Sequence, residues 1–490
     1  MLGIIAAIKA TAEENALAPA LITGSRIITY GETINLIARI SNYFADRRLE
    51  RLSKVFLNIA DGDFRLIVTL ACLHYGLVPF VLADAAEHGA DADYDLVIAA
   101  DVPRQRDPAP DLVIDQSVLG GKLSDGRLRE FADRGDDDLL FVGVTTGTTG
   151  RPKLVAEPYG IFRRKRELRQ AQSAAWPPSL QRAVKGDRFL STIGDLSRAG
   201  FWNSLEILER GAAQVRPSRN LSETLKNINW FAVSAMYTTP DTATALMDQM
   251  DALRVRCPSV RRIRLTGSLF PRALLERIEA NFDAAIAIGY GTSEVGEVST
   301  GLIDSATFRE GYVGEILSRV TVVSAGTSRD PQPIKLANRL DLISPGYRGG
   351  RFFSPNETIY DLPDLGYVEG NSLFLLGRDD EVFNLEGDKT AFSIIENDLR
   401  AERGVKDVGI LGGALIGDFR SIVIGIVGSG LDHSELVERV CRTLKAPRAQ
   451  SRIRMLAMER IPRNASGKVD RRAMIEAFRA SEGATSAGAS

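Results

Sequence analysis

The chain has 490 residues, with 61 Lys and Arg against 63 Asp and Glu, a net charge of −2 at pH 7, and 44% hydrophobic and 25% charged residues. That length exceeds one ordinary core, so two or three structural units are expected, and charges this balanced and mixed give no reason to expect nucleic-acid binding. Cys72, Cys257 and Cys441 form no Cys-x-x-Cys pair, and His74, His88 and His433 show no ligand spacing, which argues against a disulfide framework, a zinc site or a His-based metal centre and fits a reducing compartment.

Residues 1–20 are interrupted by Lys9, Glu13 and Glu14 and lack the pattern of a signal peptide. No apolar run approaches the length of a membrane span, so a soluble, cytoplasmic chain without membrane insertion is expected. Strand-like runs follow at 54–59, 77–82 and 95–99, with helical periodicity at 63–75. Residues 102–136, rich in Asp, Pro, Gly and Arg, read as an irregular connection. The apolar run 139–144 then leads into Thr-Thr-Gly-Thr-Thr-Gly-Arg-Pro-Lys at 145–153.

This stretch has the chemistry of a phosphate grip. Its glycines let backbone N–H groups approach an anion without a Cβ in the way, and successive N–H groups form an anion-binding nest. Four threonines add hydroxyl donors and Lys153 a point charge. It is not a Walker A loop, because Arg151-Pro152 follows the second glycine where Lys-Ser/Thr is required. The alternative is a Thr/Gly-rich surface turn.

The basic run Arg163-Arg164-Lys165-Arg166 is expected to be a solvated helix face. Further strand-like runs at 188–192 and 284–288, with a helical pattern at 271–282, continue an α/β alternation with largely parallel sheets flanked by helices. At the end of the run 284–288 stands Gly289-Tyr290-Gly291-Thr292-Ser293-Glu294, where ligands bind in open α/β sheets. A compositional seam falls near Gly377-Arg378-Asp379-Asp380. Beyond it, strand-like runs at 408–411, 421–427 and 454–458 and a helix near 433–444 suffice for a small α+β domain. Residues 462–471 put Lys468 on a Gly-preceded turn, the tail 481–490 is expected to be disordered, and no internal repeat is present.

Together these segments resemble the adenylate-forming superfamily of acyl-CoA synthetases, amino-acid adenylation domains and firefly luciferase. The family's phosphate loop is matched at 145–153 with Thr146 in place of Ser, and its Tyr-Gly-x-Thr-Glu segment at 290–294 with Ser293 in place of Thr. Its Gly-Arg-x-Asp hinge is matched at 377–380 and its Pro-x4-Gly-Lys-x3-Arg segment at 462–472. Lesser similarities are Leu265-Thr266-Gly267-Ser268 and Gly311-Tyr312-Val313-Gly314.

The resemblance implies an N-terminal adenylation core over 1–376, a hinge at 377–380 centred on Asp380, and a mobile domain over 381–480 carrying the catalytic lysine. It implies ATP, Mg²⁺ and coenzyme A, or the phosphopantetheine of a carrier protein, as cofactors. Thr145, Thr146, Gly147, Thr148, Thr149, Gly150 and Lys153 would hold the β- and γ-phosphates, with Thr149 and Glu294 near Mg²⁺. Tyr290, within Tyr290-Gly291-Thr292-Ser293, would stack on adenine beside Gly267 and Ser268. Asp364 would accept from the ribose hydroxyls with Arg378 in support, Lys389 would lie close to the phosphates, and Lys468 would bridge the substrate carboxylate and the α-phosphate. Phe201, Trp202, Phe270 and Val295 are candidates for the acyl pocket.

Some positions depart from the family. Leu362-Pro363 precede Asp364 where Thr-Gly is usual, Ile394 replaces a Glu after the hinge, and Leu196-Ser197 stand where many acyl-CoA synthetases carry a His. Arg198 falls near the Asp that pairs with an amino-acid substrate's ammonium, with Asp195 a substitute, so a free α-amino acid is disfavoured and an acid with extra negative charge or polarity is admitted. The reading is an ATP-dependent acid–CoA ligase working through an acyl-adenylate. The alternatives are a ligase loading a carrier protein and a non-catalytic nucleotide-binding relative. The sequence leaves the acid and the oligomeric state open.

Overall fold

The computed structural model describes residues 2–82, 92–100, 110–114, 127–144, 153–337, 342–348, 351–353, 359–385, 388–400, 402–412, 421–444, 446–447, 449–463 and 469–487. The expected alternation is present in strand Lys54–Asn58, helix Gly62–Tyr75 and strands Val78–Val81 and Leu96–Ala99. The helix starts where the Asp61 carboxylate accepts from the N–H groups of Asp63 and Phe64. It stops at Gly76, whose φ of 116° places it in the left-handed region that closes helices.

Two large sheets form the N-terminal part. In the eight-stranded sheet, Leu139–Val144, Val78–Val81, Lys54–Asn58, Leu96–Ala99 and Leu112–Val113 run parallel. Leu154–Pro158, Gly346–Arg348 and Arg351–Phe353 are added antiparallel. The thirteen-stranded sheet has a parallel centre of Pro19–Thr23, Ala213–Val215, Arg188–Ser191, Ala235–Thr238, Arg262–Leu265 and Ala285–Thr292. From the hairpin into Gly296–Leu302 onward its strands turn antiparallel, ending at Val322–Ser324. Helices cover both sheets, and apolar residues such as Ile5, Ile37, Phe44 and Leu70 are fully buried between them. Among the described residues no helix is long and apolar enough to cross a membrane.

The C-terminal part has its own core, with Phe392, Ile395, Val408, Ile410, Ile424 and Val440 packed together. Its three-stranded sheet joins Val405–Gly412, Ile422–Gly428 and Ile453–Ala457, and helix His433–Thr443 is capped by Asp432. The last helix, Arg471–Ala487, runs into the segment for which the sequence predicts disorder. Met474 and Phe478 anchor it against Leu411, Val423 and Ile461, and propagating an anchored helix costs far less than starting one.

One further expectation is corrected on helix Tyr159–Ala174. Arg163 pairs with the exposed Asp136 as surface cations do, and Arg166 pairs with the more buried Glu209. Lys165 instead turns inward and is 8% exposed. Helical spacing puts it on the same face as buried Phe162 and Ser173, so a residue in a charged run shares the core face.

Candidate active site

Three segments singled out by the resemblance meet on the thirteen-stranded sheet. The Tyr290 hydroxyl, on Ala285–Thr292, donates to Asp364 Oδ2 at 2.6 Å. Asp364 lies on Ile359–Glu369 directly across the ladder from Arg378, the last residue of Ser372–Arg378. Burial raises the Tyr290 phenol well above its ordinary range, and Asp364 raises it further against the opposing charge of Arg378. Tyr290 therefore stays a donor at neutral pH.

The backbone around Tyr290 requires its glycines. A Cβ on Gly291 would lie 2.2 Å from the Gly296 carbonyl oxygen, and the ladder shifts register between Tyr290 and Gly291. Such a bulge re-aims the side chains beside it. Gly267 follows Arg262–Leu265 with φ of 99°, a conformation that glycine adopts without cost. Thr266 Oγ1 donates to the Gly289 carbonyl at 3.0 Å, which holds the exposed Gly267-Ser268 turn alongside the Tyr290 strand.

Glu294 sits in the tight turn between Ala285–Thr292 and Gly296–Leu302, where Thr292 Oγ1 accepts from the Val295 N–H at 3.3 Å. Ser293 is half-buried in the same turn. The Glu294 main-chain carbonyl accepts from the Ser344 N–H at 2.9 Å and from Lys165 Nζ at 3.3 Å. The Ser344 hydroxyl accepts from Lys165 Nζ and Arg198 Nη2, both at 2.6 Å, and donates to Glu157 Oε2 at 2.8 Å. Glu157 is also ion-paired with Arg198, and with Lys165 at 3.6 Å. Burial lowers the Lys165 ammonium well below its usual range, helped by Arg169 and Arg319 and opposed by Glu294. Burial brings the Arg198 guanidinium down to about 10 despite the nearby Glu294 charge.

A second buried network lies beneath the same hairpin. Glu297 pairs with Arg264 at 2.6 Å and Arg182 at 3.0 Å, and its carbonyl accepts from Arg319 Nη2 at 2.8 Å. Burial alone would raise the Glu297 carboxyl, but Arg182, Arg264, Arg319 and Arg169 outweigh it and hold the group well below the usual carboxylate range. Sequence reasoning missed Glu157, Lys165, Ser344 and Glu297. One signal was available: Glu157 is the single charge in the apolar strand Leu154–Pro158.

The phosphate-type loop closes a hairpin, since Leu139–Val144 and Leu154–Pro158 run antiparallel with Val144 opposite Leu154. Thr145, Thr146, Gly147, Thr148, Thr149 and Gly150 lie outside the described residues, and Lys153 is exposed at the loop's exit. Lys468 also lies outside them. Its flanks converge, with Arg463 bridged to Val469 and the Asp470 N–H donating to the Pro462 carbonyl at 2.8 Å. Arg463 reaches Asp407 at 2.7 Å and Asp241, at the start of helix Pro240–Leu253, at 3.6 Å. The Lys389 backbone stands opposite Asn384, and the Asp380 backbone sits in the short 3₁₀ turn Asp379–Glu381; both side chains lie outside the described ones.

The pocket candidates are placed by packing. Phe201 meets Phe141 edge-on at 5.1 Å, while Trp202 stacks on Phe162 at 4.7 Å beneath the Arg169 guanidinium. Phe270 is buried beside Phe308, and Val295 packs partly buried against the second core. Asp195 is held by Arg65 and Arg216 at 3.3 and 3.2 Å, and Arg198 faces Glu157, so both polar residues flanking the expected acyl pocket have protein partners.

Known proteins resemble this chain in sequence and in fold. A medium/long-chain-fatty-acid–[acyl-carrier-protein] ligase of Mycobacterium tuberculosis, FadD10, is 24% identical over 93% of this chain and 91% of its own. A 4-chlorobenzoate–CoA ligase of Arthrobacter is 21% identical over 92% and 90%. Tyrocidine synthase 3 of Brevibacillus parabrevis is 24% identical over 69% of this chain, which spans only 5% of that longer protein. Among solved structures, an o-succinylbenzoate CoA synthetase of Bacillus subtilis with its acyl-adenylate has the same fold, with a TM-score of 0.76 at 17% identity over 95% of this chain and 97% of that one. The family model described as "AMP-binding enzyme" matches residues 8–333, and with most of the chain inside that match this protein belongs to the AMP-binding enzyme family.

Proposed function

We propose that this enzyme is an ATP-dependent acid–thiol ligase that makes an acyl-adenylate and passes the acyl group to coenzyme A. The observation that carries the reading is the Tyr290–Asp364–Arg378 group, a ring, a carboxylate and a cation from three strands converging beside the Glu294 turn. In this reading the Tyr290 ring lies against adenine between Gly267-Ser268 and Gly291-Thr292, and Asp364 accepts from the ribose hydroxyls with Arg378 beside it. The 145–153 loop holds the phosphates that will leave.

A substrate carboxylate oxygen attacks the α-phosphorus, the bond to the β-phosphate oxygen breaks, and pyrophosphate departs. A thiol sulfur then attacks the acyl carbon, its proton is lost, and AMP leaves. Both steps call for alignment and charge stabilisation without a covalent protein nucleophile. Lys468 serves the reacting carboxylate and α-phosphate, with Lys389 nearby. Magnesium bound with ATP would supply charge neutralisation at the phosphates. Glu294 and Thr149 would hold it, and oxygen donors of this kind suit a hard cation.

The small domain, turning at Asp380, carries Lys468 away between the two steps, and the enzyme works in the cytoplasm. A carrier-protein phosphopantetheine is the second acceptor to test, because FadD10 is named for that acceptor. The test is acid-dependent exchange of pyrophosphate into ATP across a panel of carboxylic acids, followed by mass analysis of products with coenzyme A and with a phosphopantetheinylated carrier. Lys468→Ala should abolish exchange with the best acid. Unchanged exchange in that variant, or none in the wild type with any acid, would sink the proposal.

A further inference from the structure

Ser344 lies in no motif, yet it joins the Glu294 turn to the strand and helix that follow the 145–153 segment. A serine hydroxyl offers one donor and two acceptor positions, and all three are used here, toward Glu157, Lys165 and Arg198. Glu157 belongs to the strand leaving the 145–153 loop, Lys165 to the helix that follows it, and Arg198 opens helix Arg198–Glu209. The chain just past Ser344 is laced to the loop-exit strand, with the Ala156 N–H donating to the Pro345 carbonyl at 2.8 Å and Gly346 opposite Val155. Ser344 and Lys165 both donate to the Glu294 carbonyl. The Arg198 stem completes the frame from the other side: a Cβ on Gly143, in the strand feeding the loop, would touch its Cβ, Cγ and Cδ at 3.4 Å.

All four hub residues are 8% exposed or less. Stability alone does not account for charges at such a place, because an apolar cluster of similar volume is commonly as stable as a buried ion pair. What such a buried polar network adds is direction, since each bond fixes the groups it joins. Beside the Glu157 ion pairs, the Ser344 hydroxyl is the group that bonds to Glu157, Lys165 and Arg198 alike, and among the described residues Arg198 Nε and Nη1 and Glu157 Oε1 have no hydrogen-bond partner.

We infer that Glu157, Lys165, Arg198 and Ser344 are positioning residues that fix the Glu294 turn to the strand and helix following the 145–153 segment, and that this fixing sets how well the Mg²⁺–ATP complex is held. The inference rests on the ligase reading, in which Glu294 faces the metal ion. It concerns binding of the Mg²⁺–ATP complex, and so can be read without turnover.

The experiment is equilibrium titration of the full-length protein with ATP, followed by calorimetry in excess Mg²⁺ and again in EDTA. Ser344→Ala removes the hydroxyl and keeps both the N–H to Glu294 and the strand pairing. Losing a hydrogen bond shared with charged groups corresponds to roughly a tenfold change in affinity. Ser344→Ala should therefore lose about tenfold of the Mg²⁺-dependent gain with its EDTA affinity intact. Ser344→Thr, which keeps the hydroxyl, should restore it, and Lys165→Gln should repeat the loss from another side of the hub should the alanine variant fail to fold. Equal weakening in Mg²⁺ and EDTA, or a full Mg²⁺-dependent gain in Ser344→Ala, would overturn the inference. A wild type that gains nothing from Mg²⁺ would instead count against the ligase reading itself.

Discussion

Tyr290→Phe isolates one hydrogen bond of the proposed nucleotide site. The native hydroxyl stands 2.6 Å from Asp364 Oδ2, in the range of a charge-assisted O–H···O⁻ bond. Phenylalanine keeps the ring and removes only that donor. Hydrogen bonds to charged groups contribute about 1.5–3 kcal/mol, and Arg378 across the ladder still faces Asp364, so the lower end applies. That predicts ATP binding weakened about tenfold, since 1.4 kcal/mol is a factor of ten. Tyr290→Ala also removes the ring, and a stacked aromatic contributes a further 0.5–1.5 kcal/mol or so, hence about threefold to tenfold more loss. Calorimetric titration with ATP in the absence of any acid separates this from catalysis. If Tyr290→Phe bound ATP within about twofold of wild type, the hydroxyl would not be holding Asp364 for the ribose, and if Tyr290→Ala then added nothing, the ring would not be against adenine.

Two other outcomes test the buried network and the hinge. Glu297→Gln leaves Arg182 and Arg264 without their carboxylate and should cost about 3–5 kcal/mol, seen as a lower urea midpoint. The Glu297 carboxyl is lowered in the folded state, so its stabilisation is present above the ordinary value of 4.5 and is lost as the pH falls toward the folded value. The gap between wild type and variant should accordingly shrink below about pH 4.5, and a gap unchanged down to about pH 3 would contradict the ion-pair account. Asp380→Pro fixes φ within the 3₁₀ turn Asp379–Glu381, where such φ values already occur, and so should spare acyl-adenylate formation while blocking thioester formation. Equal loss of pyrophosphate exchange and thioester yield would show that Asp380 does not act as a hinge.

The nucleotide end of the site was legible because its demands are local. Gly291 has to be glycine because a carbonyl oxygen occupies the space of a Cβ, and Gly267 because its φ is positive. Such requirements leave short, ordered strings of residue types that carry a resemblance even where Thr146 and Ser293 substitute for the usual neighbours. The parallel strands were legible for a related reason, as apolar runs bounded by helices. The antiparallel continuation beyond Gly296–Leu302 was not. Ile359–Glu369 interleaves buried and exposed residues irregularly, and Gln332–Ala337 buries only Ile334 and Leu336, so both read as connection until their partners are known.

Charge inside the core was illegible for a different reason, and Lys165 shows it. In sequence it is the third member of a basic run, and such runs are ordinarily solvated. Its place is decided by Ser344, 179 positions away, and by Glu157 on the preceding strand, which one helical face brings together. Arg198 was noticed for its nearness to the expected acyl pocket, but a buried guanidinium takes the nearest carboxylate that shares its burial, and that is Glu157. The strand Leu154–Pro158 held the clue: a carboxylate at the centre of an apolar strand is untenable unless cations come to it, and the following helix was the nearest source of them. Reading the acid first and then looking for its cations identifies Lys165 as an inward residue. It also places Lys165 beside the short strand that follows the 145–153 segment, because Glu157 lies on that strand.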